Sequence, residues 1–192
     1  MTSELAMSPR RSLKPQQSET VTRLLDAALA LLEEIGHEAL TIRLVAGRAG
    51  VSPATAYTYF SSKDHLFAEL FWRHLDLATE PELTGGTTTE RLQETLRHIA
   101  GLVASSPALA AAANKSLLGT DPEVERLRLS IGSLWLERCR RAIGADADPM
   151  LLRTLTFALS GALLEAGMGV LAYADLADHL EAAAAVIMRS NA

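Results

Sequence analysis

Only one cysteine, Cys139, occurs in the 192 residues. A single thiol excludes an intramolecular disulfide frame, and no charged-then-apolar leader opens the chain, so the expected setting is reducing and cytoplasmic. The five histidines are scattered singly, with no His-Glu-x-x-His pair, so no metal site is expected. No glycine-rich phosphate loop follows a strand and no serine elbow is present, which leaves no constellation for an enzyme and no resident cofactor. Aromatic residues make up only 5% of the chain, and no stretch shows the two-residue alternation of a half-buried strand. The most apolar run, residues 151–173, is interrupted by Arg153 and Glu165, which argues against a membrane span.

Helix formers are abundant instead. Alanine and leucine dominate a composition that is 48% hydrophobic, and this favours helix throughout. The net charge of −5 is unevenly spread. Residues 1–63 hold seven Lys/Arg against six Asp/Glu, and residues 64–192 hold eleven against seventeen. A nucleic-acid face would therefore be a local cluster on a near-neutral head, with the acidic remainder held away from phosphate.

The pattern predicts an all-α chain of about nine helices. Residues 1–18 have no apolar period and read as a flexible arm, either a solvated tail or a strand of charge (Arg10, Arg11, Lys14) that reaches DNA phosphate or a minor groove. From Glu19 to Ile35 apolar residues recur at helical spacing, with Gly36 as the stop. Residues 41–63, TIRLVAGRAGVSPATAYTYFSSK, give two short helices and the start of a third. Thr41 caps the first, Gly50 supplies a left-handed turn that a β-carbon would oppose, and Ser52-Pro53 restarts the chain as a helix. Two helices crossed at such a turn form a helix-turn-helix, whose second helix enters a major groove.

Ser62 caps a longer helix expected to run to about Ala78. Pro81 and Gly85-Gly86 then mark a loop. Further helices are expected from Thr89 to Ser105, from Pro107 to Leu117, from Asp121-Pro122 to Ile143, from Asp148-Pro149 through residue 173, and from Ala174 to Met188. The implied organisation is an arm (1–18), a helix-turn-helix domain (19–65) and a helical effector-binding and dimerisation domain (66–192).

Over residues 19–70 the chain resembles the DNA-binding domain of the TetR/AcrR family of bacterial transcriptional regulators. The residues that carry the resemblance are Thr41, Ile42 and Ala46, then Ala49-Gly50-Val51-Ser52, Thr55, Tyr57, Tyr59-Phe60, Ser62-Lys63 and Leu66. It implies DNA contacts at Arg43, Thr55, Tyr57 and Tyr59 and a phosphate contact at Lys63; Ser52 and, on the second reading of the arm, Arg10, Arg11 and Lys14 are weaker candidates. Ala56 is smaller than the branched residue of the pattern, and the second helix of the motif carries no Arg, Asn or Gln. Sequence reading by forked side chains is therefore thin, with more weight on shape and apolar contacts.

The resemblance also implies a homodimer and a small effector that releases a repressor from a pseudo-palindromic double-stranded DNA operator. Small residues in the last two helices let another helix approach closely, and Gly161, Ala162, Gly169, Leu176, Leu180 and Ala184 are the expected dimer seam. The preceding helices would enclose a largely apolar effector pocket, with His98, Leu102, Asn114, Trp135, Cys139 and Glu165 as candidate lining, and Phe157 and Met168 beside them. Ordinary core packing is the competing reading for each. Glu165, a carboxylate amid apolar helix, needs a partner in either the seam or the pocket.

Overall fold

The computed structural model describes residues 15–189, with nine α-helices and one short 3₁₀ turn. The helices are α1 (Pro15–Ala39), α2 (Ile42–Arg48), α3 (Pro53–Tyr59), α4 (Lys63–Asp76) and α5 (Thr88–Ala104), followed by α6 (Pro107–Ser116), α7 (Pro122–Ile143), α8 (Pro149–Gly167) and α9 (Leu176–Arg189). No strand occurs among the described residues, so the chain is all-α as its composition predicts. Arg10, Arg11 and Lys14 lie outside the described residues.

Local chemistry sets most boundaries. Side-chain oxygens of Thr41, Ser52, Ser62, Thr87, Asp121 and Asp148 each accept a backbone amide at a helix start. These caps satisfy donors that a helix N-terminus otherwise leaves orphaned. Thr87 and Glu90 complete a reciprocal capping box, and proline occupies the first turn of α3, α6, α7 and α8.

Three boundaries differ from the sequence reading. Helical structure begins at Pro15, inside the segment expected to be an arm. Gly36 breaks α1 (φ 75°, ψ 169°), but a further helical stretch continues to Ala39. The third difference is the end of α8, at Gly167 instead of near residue 173. There Gly169 sits at φ 75°, the Val170 amide reaches the Glu165 carbonyl at 3.0 Å, and the Gly169 amide reaches Ala166 at 3.1 Å. That left-handed glycine stop closes the helix whatever the hydrophobicity of the residues beyond it.

One apolar core runs from Val21 on α1 to Ala184 on α9. Its axis is α4, on which every residue from His65 to Phe71 is buried. Helices α1, α6 and α7 enclose α4, and α5 packs between α7 and α9. Among the described residues α8 is the one helix long and apolar enough to cross a membrane. Here it packs as a core helix against α6, α7 and α9, burying Leu151, Leu152, Leu155, Leu159, Leu163 and Ala166.

Candidate nucleic-acid interface

The crossing of α2 and α3 is fixed by small residues and one glycine. Gly50 stands at φ 68°, with the Val51 amide on the Ala46 carbonyl (3.0 Å) and the Gly50 amide on Gly47 (3.2 Å). This is the same stop that ends α8, used here to redirect the chain after two helical turns. Ala46 and Ala56 are completely buried between the helices. The small residue at Ala56 therefore fills a packing position, and its size sets how closely α3 can lie against the head.

With Ala56 inward, helical periodicity turns Pro53, Ala54, Tyr57 and Thr58 outward. Tyr57 is 50% exposed. Thr58 is exposed and donates its hydroxyl to the Ala54 carbonyl at 3.0 Å. Thr55 is half-buried and bonds Ser52 Oγ through its amide (3.1 Å) and its hydroxyl (2.8 Å). Both residues are thus partly committed to holding the helix start. Tyr59 is half-buried against the core, so it presents less surface than Tyr57. Arg43 is exposed on α2. Arg48, on the same helix, is held by Glu34 of α1.

Lys63 is placed differently from a free phosphate-binding cation. Its ammonium donates to the His37 carbonyl at 2.8 Å, tying the start of α4 to the end of α1. Two further N–H groups remain on that ammonium. Neighbouring bonds fix the same junction to the rest of the molecule. Ser61 and Ser62 both donate to Asp121 Oδ2 at 2.7 Å, while Asp121 Oδ1 caps α7 through the Glu123 amide at 2.9 Å. Lys115 of α6 pairs with Glu38 at 2.6 Å. The turn between α3 and α4 is therefore bolted to the start of α7, and α1 to α6.

The family described as bacterial regulatory proteins, tetR family, matches residues 24–70. An HTH-type transcriptional regulator of Mycobacterium tuberculosis, itself uncharacterized, is 43% identical over 170 residues, covering 86% of this chain and 78% of that protein. The chain belongs to the tetR family. The HTH-type transcriptional repressor KstR of Mycolicibacterium smegmatis is 31% identical over 153 residues, covering 78% of this chain and 74% of KstR. A crystal structure of a TetR transcriptional regulator from Rhodococcus sp. RHA1 overlays with a TM-score of 0.74 at 22% identity, covering 91% of this chain and 98% of that one. This tetR-family chain is accordingly a helix-turn-helix transcriptional regulator with a helical C-terminal body.

In that body the structure redistributes the residues singled out from sequence. Leu176, Leu180 and Ala184 are 0–2% exposed, packed inside the protomer. They cannot form the dimer seam, because α9 turns that face towards α5. Gly161 is exposed with open space where a β-carbon would stand, Ala162 is half-buried, and Gly169 is exposed in the α8 stop. Phe157 (63%) and Met168 (61%) also face outward with Leu164, so neither lines an interior pocket. Glu165 is exposed too and needs no internal partner.

Asn114 reaches across to the Leu163 carbonyl (2.7 Å) and the Tyr173 hydroxyl (3.2 Å). A β-carbon on Gly167 would lie 2.5 Å from its amide nitrogen, so this glycine makes room for Asn114. Asn114 is a tether between α6 and α8. Leu102 is half-buried, and its carbonyl accepts from His74 at 2.8 Å. Cys139 is buried, and desolvation pushes its thiol up to about 11, leaving it a neutral packing group. His98 and Trp135 remain as inward polar groups, since neither His98 Nε2 nor Trp135 Nε1 has a hydrogen-bond partner among the described residues.

The sequence reading missed Asp121 as a bridge, Thr58 on the outward face, and any role for Arg138, which is only 3% exposed. Asp121 was visible as a helix cap, but its second role depends on contacts 59 and 60 positions away. Arg138 sits at helical spacing from Trp135 and Ile131, and this spacing was the one available signal that it points inward.

Proposed function

We propose that this tetR-family regulator is a homodimeric repressor that docks α3 in the major groove of a pseudo-palindromic operator and leaves it when a small effector occupies the body. The observation that carries the reading is the outward face of α3, Ala54, Tyr57 and Thr58, mounted on a junction that Asp121 fastens to α7. Tyr57 and Arg43 contact phosphate or base edges, Thr58 and Ala54 offer apolar surface to thymine methyls, and Ser52, Thr55 and Tyr59 position the helix. Lys63 adds a phosphate contact with the donors not used on His37. The relative named a repressor supports the direction of control.

Dimerisation uses the outward faces of α8 and α9. Phe157, Gly161, Leu164 and Met168 form a stripe on α8, and Ala182 and Val186 lie outward on α9. Two such pairs make a four-helix seam, and two readers then engage two half-sites. The working compartment is the cytoplasm, where operator DNA lies. An effector acts only through a difference in affinity between the docked and undocked conformers. Helix α4 carries that difference, because its start holds the reader and its end reaches the body.

The test is an electrophoretic shift with the DNA upstream of the chain's own gene. A sequence-preferring band that survives competitor DNA at physiological salt is expected. Binding that is weak and indifferent to sequence would sink the proposal.

A further inference from the structure

Arg138 is buried on α7 and fixed by two of its nitrogens. Nε donates to Glu80 Oε1 at 2.7 Å, and Nη2 donates to the Leu75 carbonyl, in the last turn of α4, at 3.1 Å. The third nitrogen, Nη1, is buried and has no partner among the described residues. The Glu80 carboxylate is itself shared, since Oε2 takes Arg141 at 2.6 Å. Two guanidinium groups thus rest on one carboxylate, and the cluster keeps a surplus positive charge.

Two other unsatisfied groups belong to the same region. Trp135, one turn before Arg138 on the buried face of α7, keeps Nε1 without a partner among the described residues. His98 of α5 senses the charges of Arg138, Glu80 and Arg141, and its Nε2 is likewise unpartnered. Burial lowers the His98 pKa, with Arg138 the next cause, so the ring stays neutral near pH 7. Arg and Trp side chains can only donate. Leaving two such donors buried is costly, and a native protein satisfies them with something. The helices that carry these groups or bond to them also bury apolar side chains: Leu75 on α4, Ile99 and Val103 on α5, and Ile131 on α7.

We infer that Arg138 Nη1, with Trp135 Nε1 and His98 Nε2, is the anchor for the carboxylate of an apolar organic acid, whose hydrocarbon part lies among α4, α5 and α7. The inference rests on the ligand-responsive reading above and narrows it from an apolar effector to an anionic one. A carboxylate suits the site because it accepts from several donors at once and cancels the surplus charge. A neutral apolar ligand would leave both unmet. Because Arg138 also holds the Leu75 carbonyl in the last turn of α4, an acid drawing on its guanidinium bears directly on the helix that carries the reader.

The experiment uses the full chain with octanoate and dodecanoate, each against its own methyl ester, read by tryptophan fluorescence titration and by release of operator DNA. Each acid is expected to bind about tenfold or more tightly than its ester, the scale of a charged hydrogen bond. Arg138→Gln should erase that preference while leaving ester binding in place. Should Arg138→Gln fail to fold by circular dichroism, Trp135→Phe removes one donor, leaves the Arg138–Glu80 pair intact and should shrink the preference several-fold, read then by DNA release. Equal binding of acid and ester, binding of neither acid, or a preference undiminished in the variant that folds would overturn the inference. The regulator reading fails separately. An acid-selective protein without operator preference would keep the anchor and lose the repressor, and an operator-specific protein indifferent to the acids would do the reverse.

Discussion

The pairs α2–α3 and α8–α9 are built alike at one point and face the solvent in opposite ways. In each pair the first helix ends in the same glycine stop, at Gly50 and at Gly169. The outward face of α3 carries a tyrosine and a threonine, whereas that of α8 carries Phe157, Leu164 and Met168. A polar face that offers hydroxyl and aromatic groups suits a hydrated, charged partner, and a stripe of exposed apolar side chains suits another protein surface. On the proposed function the same backbone device would serve two kinds of recognition, with the side chains facing away from the core deciding which.

The largest way to break the contrast is to remove what both pairs share. Phe67 is fully buried on α4 and lies 4.9 Å from the His37 ring. Truncation to Phe67→Ala should cost about 3–5 kcal/mol of stability. Because the core is continuous, head and body should unfold together in urea. Separate transitions by tryptophan fluorescence and by circular dichroism would show that the two regions are independent units.

Next comes the apolar face itself. Phe157→Asp places a charge in the middle of the proposed seam at a site that is open in the protomer. The variant should fold normally and sediment as a monomer at concentrations where the wild type is a dimer. Its operator affinity should fall with the dimer, since one short reader alone makes few contacts. An unchanged dimer would move the seam off α8.

Asp121→Ala tests the bolt between the regions. Loss of the α7 cap alone should cost about 0.5–2 kcal/mol at pH 7. The Ser61 hydroxyl, with smaller help from Ser62 and the Glu123 amide and against the push of burial, holds the Asp121 carboxyl below its ordinary value of 3.8. The stability this supplies is present above that value and is lost as pH falls through the lower, folded pKa. Acid titration of the wild type should therefore show a stability loss below about pH 4 that is smaller in Asp121→Ala. The variant should also release DNA less completely when ligand binds, because the reader is no longer fastened to α7.

How much of this was readable without coordinates follows the range of the interactions. The head was legible because its determinants are local: Thr41, Ser52 and Ser62 cap within three residues, and Gly50 turns the chain at once. The body's helix starts were legible for the same reason at Asp121-Pro122 and Asp148-Pro149. Which face of a body helix looks inward was not. The apolar face of α9, Leu176, Leu180 and Ala184, has the same spacing whether it meets α5 of its own chain or another protomer. Asn114 looked like a pocket residue, and it proves to be one half of a contact whose other half is Gly167 and the Leu163 carbonyl. Arg138 was masked by its own chemistry, since a buried guanidinium needs partners from α4 and the loop after it, Leu75 and Glu80, about sixty residues away.

The smallest predicted effect bears most directly on the polar side of the comparison. Tyr57 is half exposed on α3, so its ring is available for apolar contact and its hydroxyl for a phosphate oxygen. Tyr57→Phe removes only the hydroxyl and should leave thermal stability and sedimentation unchanged. Loss of one such hydrogen bond should weaken operator binding by about 1 kcal/mol, or fivefold. If the oxygen meets phosphate, the weakening should be equal across operator variants, whereas a base contact would concentrate the loss at one position. A fluorescence-anisotropy titration of Tyr57→Phe against a set of single-base operator variants therefore distinguishes grip from reading. Wild-type affinity across the whole set would place the contact of α3 elsewhere, on the threonine and alanine surface beside it.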